Sequence, residues 1–145
     1  MNKQSKNICI HVCDDNPVAI EKAIKITKDL LNEEGLAAEI ITYKDGNQFT
    51  ERYKERKDEL IILDIEMPGK SGLDILKEFE IHCKNNRVIL LTAYDNLALQ
   101  SLTYGPFQIV RKDLMEIDLE KAIRRFLRIR NEQNAQLEIK EDGMQ

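Results

Sequence analysis

The sequence predicts an α/β domain built as a doubly wound, five-stranded parallel sheet of the (βα)5 kind. Short apolar, β-branched runs alternate with amphipathic segments five times along the chain, which is the pattern of strands joined by crossover helices. The run Leu60 to Leu63 lacks the in-and-out alternation of a half-exposed strand and so reads as a parallel strand covered on both faces. Acids, a hydroxyl and a lysine recur where these runs stop, at the strand ends where open parallel sheets collect their ligands.

Ile8 to Cys13 is the first strand, stopping at Asp14 and Asp15. Asn16-Pro17 supplies a cap and a first turn, and Ile20, Ala23, Ile24, Thr27, Leu30 and Leu31 then recur at helical spacing up to Gly35. Ala38 to Tyr43 is the second strand, closed by Asp45-Gly46. The helix after it is weak, its apolar face only Phe49 and Tyr53 at i and i+4 among charged neighbours. Leu60 to Leu63 runs into Asp64 as the central strand, and past Met67-Pro68-Gly69 the residues Leu73, Leu76 and Phe79 trace a one-sided helix ending before Asn85-Asn86. Val88 to Leu91 is the fourth strand, ending at Thr92. Ala98, Leu99 and Leu102 sketch a short helix broken by Gly105-Pro106. Phe107 to Arg111 is the last strand, ending at Lys112, and a final helix carries Leu119, Ala122, Ile123, Phe126 and Leu127 on one face. From about Asn131 the chain turns polar and reads as a frayed helix end or a linker, which divides it into a domain over 1–130 and a polar linker or C-terminal extension over 131–145.

Length and composition exclude several classes. At 145 residues and 42% hydrophobic the chain suits one core. Its longest apolar runs fall far short of the roughly 18 residues of a membrane helix. Lys3 and Lys6 precede only a short mixed stretch, so no secretory segment is read, and three cysteines without a C-x-x-C pair suit a reducing compartment. A cytoplasmic location is expected. A net charge of -4 argues against nonspecific nucleic-acid binding.

Asp14 and Asp15 follow the first strand, Asp64 ends the third, Thr92 the fourth and Lys112 the fifth. In a parallel sheet all five land on one edge. Three carboxylates held together either raise their pKa values or recruit a cation. Mg2+ suits them, because it takes few carboxylates, keeps several waters and shares its remaining positions with phosphate oxygens. With a lysine as point charge and a threonine as donor the pocket can bind a phosphoryl group, and centrally placed Asp64 is the expected nucleophile. Singly, each residue is ordinary: a strand-end Asp is often a turn former. Their joint placement is the signal.

On these residues the chain resembles the receiver domain of two-component response regulators, the CheY-like fold, over residues 7 to about 128. The motifs are Asp14-Asp15 with Asn16-Pro17, the stretch from Asp64 to Gly72 that looks like the family's phosphoacceptor loop, Thr92-Ala93, and Lys112. The resemblance implies the flavodoxin-like strand order 2-1-3-4-5. It makes Asp64 the phosphoacceptor, with Mg2+ held by Asp14, Asp15, Asp64 and the Glu66 backbone carbonyl, Thr92 the switch hydroxyl and Lys112 the phosphate partner. It implies a sensor histidine kinase as donor, a phosphorylation-linked homodimer, and a signalling phosphoacceptor rather than a conventional enzyme. Leu91 to Leu99 with Gly105 to Lys112 looks like the subgroup attached to LytTR-type DNA-binding domains, so that DNA would be reached only through a downstream domain that these residues do not contain. Two departures stand out. Asp113 follows Lys112 where the family places a cis proline, so a trans bond is expected, and Ile109 stands where an aromatic commonly moves with the threonine.

Rival patterns are weaker. Gly69-Lys70-Ser71 resembles the end of a Walker A loop, but Asp64 stands where its first glycine belongs. Cys9, His11 and Cys13 share one strand face, yet the outer two lie roughly 13 Å apart, too far for one zinc ion, and read as core. Lys121, Arg124, Arg125, Arg128 and Arg130 read as a solvated face or as part of a partner surface. An aspartyl phosphohydrolase would carry D-x-D early and a cap insertion. A flavodoxin-like electron carrier would not place two aspartates at its FMN phosphate, and a degenerate receiver would lack part of the set.

Overall fold

The computed structural model describes residues 7–93 and 95–143, without side-chain placement at 95 and 141–143. Lys3, Lys6 and Tyr94 of the readings above lie outside the described residues. The chain forms β1 (Ile8–Cys13), α1 (Pro17–Glu33), β2 (Ala38–Tyr43), α2 (Gly46–Arg52), β3 (Glu59–Asp64), α3 (Gly72–Ile81), β4 (Val88–Thr92), α4 (Asp95–Leu102), β5 (Gln108–Arg111) and α5 (Met115–Gly143). All neighbouring strands pair parallel, in the order β2-β1-β3-β4-β5. The expected fold class and strand order therefore hold.

Successive residues of a strand point to opposite faces, so each strand feeds two cores. Ile8, Ile10 and Val12 of β1 join Leu60, Ile62, Ile89 and Leu91 against Ala23 and Leu30 of α1 and Leu119, Ile123 and Leu127 of α5. Cys13, Ile61, Leu63, Val88 and Leu90 meet Phe49 of α2 and Ile75, Leu76 and Phe79 of α3 on the other face. Side-chain caps set three helix starts. Asn16 Oδ1 accepts from Val18 N at 2.9 Å, Asp45 Oδ1 from Gln48 N at 2.8 Å, and Ser71 and Asp74 form a reciprocal capping box. Among the described residues no helix is long and apolar enough to cross a membrane.

Two elements show more than the sequence reading gave. The short helix sketched by Ala98, Leu99 and Leu102 is present as α4, with Leu99 and Leu102 70% and 61% exposed. The inward stripe is instead Leu97 with Ser101, whose hydroxyl donates to the Leu97 carbonyl at 2.8 Å and so can be buried. The polar stretch from Asn131, read as a frayed end or linker, is helical to Gly143 as a direct continuation of α5, exposed along residues 131–140.

The amino edge of the sheet carries a buried polar cluster. Glu59, 3% exposed, accepts from Tyr53 Oη at 2.6 Å, Arg87 Nη1 at 2.7 Å and Arg56 N at 3.0 Å, and lies 3.0 Å from His11 Nε2. His11 Nδ1 is 2.8 Å from Tyr43 Oη. Burial alone would raise the Glu59 carboxyl, but the hydrogen bonds from His11, Tyr53, Arg87 and Arg56 overcome it and hold the group down at about 2. Cys9, His11 and Cys13 are all buried, in keeping with their reading as core. The basic run of α5 is largely engaged within the molecule. Arg130 grips Asp58 at 2.6 and 2.8 Å, Arg124 reaches Glu33 at 2.7 Å, and Arg125 lies over the Phe107 ring at 4.4 Å from its centroid.

Candidate functional site

At the carboxyl edge, β1, β3, β4 and β5 deliver Asp14, Asp64, Thr92 and Lys112 to one place, because Cys13 pairs with Leu63, Asp64 with Leu91 and Thr92 with Arg111 in register. Asp14, Asp64 and Thr92 are 1%, 4% and 2% exposed, and Asp15 is exposed beside them. One carboxylate oxygen each from Asp14, Asp15 and Asp64 can be chosen so that all lie within 4.8 Å of one another. Lys112 Nζ is 2.9 Å from Asp14 Oδ2 and 3.2 Å from Asp64 Oδ2. Asp14 Oδ1 accepts from Asn16 N at 2.9 Å, and the Glu66 amide approaches Asp64 Oδ1 at 3.4 Å.

Three acids against one ammonium leave the pocket under-neutralised. Burial, then the neighbouring Asp14 charge, push the Asp64 carboxyl well above the usual carboxylate range, with Lys112 pulling it back. Burial would lower the Lys112 ammonium, but its contacts to Asp14 and Asp64 hold it above its ordinary value. Asp14 Oδ2 is the telling atom. It is buried and has no hydrogen-bond partner, its approach to Lys112 being an ion-pair contact outside hydrogen-bond geometry. A buried carboxylate oxygen that is ion-paired to Lys112 but accepts no hydrogen bond, within reach of two further carboxylates, suits a hard divalent cation with oxygen ligands.

Among the described residues no peptide bond is cis, and Lys112 to Leu114 form a 3-10 turn in place of the cis-proline loop. Ile109 packs among the partly buried residues of the α3 face. Sequence reasoning missed what stands behind the pocket. The Cys13 thiol donates to the Asp45 carbonyl at 3.4 Å and touches Met67 Sδ at 3.5 Å, while burial and then Asp14 push it up to about 12, far from nucleophile chemistry. A Cys at the last position of β1 was the only hint of that contact.

Comparison with known proteins finds a family and several relatives. The response regulator receiver domain family matches residues 10–124. Chemotaxis protein CheY of Bacillus subtilis is 31% identical over 88 residues, covering 61% of this chain and 70% of that protein. Response regulator RR06 of Streptococcus pneumoniae is 34% identical over 101 residues, covering 68% of this chain and 45% of that protein. The crystal structure of response regulator TrrA from Thermotoga maritima, in complex with Mg(2+)-BeF, is similar at 31% identity and a TM-score of 0.63, over 81% of this chain and 97% of that one. The chain spans less than half the length of several curated relatives.

Proposed function

The chain belongs to the response regulator receiver domain family, and from that premise we propose that Asp64 accepts a phosphoryl group from a sensor histidine kinase in a Mg2+-dependent reaction. The observation that carries the reading is the convergence of Asp14, Asp15 and Asp64, with one carboxylate oxygen each within 4.8 Å of the others, beside the Lys112 ammonium. Asp14, Asp15, Asp64 and the Glu66 carbonyl would hold the ion, as the Mg(2+)-BeF complex of TrrA encourages. Bound there, Mg2+ supplies charge neutralisation to the transferring phosphoryl oxygens.

An Asp64 carboxylate oxygen attacks phosphorus, the donor's P–N bond breaks as the new P–O bond forms, and the leaving imidazole keeps the bonding electron pair. Lys112, 3.2 Å from Asp64, carries its ammonium to the incoming oxygens as a point charge. Thr92, on the adjoining strand end, offers its hydroxyl to the same group. Burial of Asp14 and Asp64 keeps the field of these groups unscreened. Receiver domains are signalling phosphoacceptors, and in our reading this one also assists its own dephosphorylation. In this reading residues 1–130 are the receiver domain and 131–145 a polar linker or C-terminal extension. Leu91 to Leu99 with Gly105 to Lys112 support a LytTR-type output half, so that phosphorylation would alter dimerisation and DNA would be contacted only through that half, in the cytoplasm. Incubation with acetyl phosphate and Mg2+ tests the reaction by intact mass. Wild type gains one phosphoryl group and Asp64→Asn gains none; label retained by Asp64→Asn overturns the assignment.

A further inference from the structure

The loop after Asp64 carries the Glu66 carbonyl, and it is held at both ends. The Ile65 amide donates to the Leu91 carbonyl at 2.9 Å, and the Gly72 amide donates back to the Ile65 carbonyl at 2.8 Å. The tip has a support of another kind. At Gly46, the first residue of α2, a Cβ atom would overlap the Lys70 carbonyl oxygen, so the α2 backbone lies directly against the loop. One residue on, the Asn47 carboxamide nitrogen sits 2.7 Å from where a Gly69 Cβ would be. Gly69 itself is left-handed at φ 73. Cys13 completes this wall, joining the Asp45 carbonyl just before α2 to Met67 Sδ in the loop.

We propose that the start of α2, through Gly46 and Asn47, is a back-stop that fixes the 65–71 loop and thereby sets the affinity of the acidic pocket for Mg2+. These are positioning residues that touch neither ion nor phosphoryl group. The proposal rests on the reading of Asp64 and Glu66 given above. At Lys70 the loop abuts the Gly46 backbone, which yields less than a flexible side chain would, and at Gly69 it abuts the Asn47 carboxamide. The carbonyl ligand is thus presented without reorganisation, as second-layer contacts do for metal ligands in general.

Titration calorimetry with MgCl2 on the whole chain is the test, with Gly35→Ala as control. Gly35 is also left-handed, at φ 67, but has nothing within 4 Å of a Cβ, so its replacement strains the fold without moving the loop. Gly46→Ala is expected to weaken Mg2+ binding about tenfold, whereas Gly35→Ala lowers the melting temperature and stays within about twofold of wild type. A purely structural role for Gly46 would move melting and leave the Mg2+ affinity alone, and that result overturns the proposal. Should Gly46→Ala not fold, Asn47→Ala removes atoms without any clash. It is expected to weaken binding about threefold, below the usual range for second-layer changes, and unchanged affinity there is equally fatal. Wild type that binds no Mg2+ overturns the reading of the pocket itself together with this proposal, while a normal wild type with an unaffected Gly46→Ala overturns the back-stop alone.

Discussion

Glu59→Gln isolates the buried cluster at the amino edge. The folded carboxyl sits at about 2 against a reference of 4.5, and at about 1.4 kcal/mol per pKa unit this corresponds to roughly 3 kcal/mol. The sign follows from the direction. A carboxyl depressed by folding contributes stability that is fully present above about pH 4.5 and is lost as pH falls through about 2. Glutamine keeps the shape and drops the charge, leaving Arg87 and the donors from Tyr53, His11 and Arg56 facing a neutral amide. Urea unfolding at pH 7 is therefore expected to show Glu59→Gln less stable by about 2–3 kcal/mol. The gap between wild type and variant should close steadily between pH 4.5 and 2, since other carboxylates titrate alike in both proteins. A gap that stays constant over that range, or a variant as stable as wild type at pH 7, refutes the assignment of the stabilisation to this ionised group.

Asp14→Asn is expected to separate stability from ion binding. It keeps the Asn16 amide bond to Oδ1, and the repulsion with Asp64 that it relieves is offset by the ion pair to Lys112 that it weakens, so without Mg2+ the variant should stay within about 1 kcal/mol of wild type. Excess Mg2+ should stabilise wild type by about 2–3 kcal/mol at a hundredfold over its dissociation constant and the variant hardly at all, a difference that thermal melts with and without the ion will read. Arg130→Ala loses a bidentate pair to Asp58 that is only partly exposed, at an expected cost of about 1 kcal/mol. Hydrogen exchange should then quicken in residues 131–143 while β1 and β3 keep their protection.

The fold was legible because the three central strands, β1, β3 and β4, are buried along their whole length and read as largely apolar runs, which leaves few alternatives to a covered parallel sheet. The helix α4 was legible but its inward face was not: three leucines and an alanine within eight residues fit several helical stripes, and a serine whose hydroxyl is satisfied locally can take a buried place that composition gives to leucine. The pocket residues were legible because each ends a strand, and a parallel sheet turns that shared position into proximity. Glu59 was not. A charge that opens an apolar run becomes a buried acceptor only when Tyr53, Arg87 and His11, from three other segments, arrive around it. The wall behind the loop was hidden for the same reason, since Gly46 looks like any turn glycine until Lys70 is placed beside it.

The unbroken run of α5 past Arg130 has a mechanical meaning. At 1.5 Å per residue its last thirteen residues reach about 20 Å beyond the Asp58 clamp, so a tilt of about 5° pivoting there would sweep the far tip by roughly 2 Å. Lengthening the rod by one residue would turn the tip through about 100°. Any module carried on it thus inherits both a lever arm and a compass bearing from the receiver, and single-residue insertions after Asn131 would alter the second far more than the first.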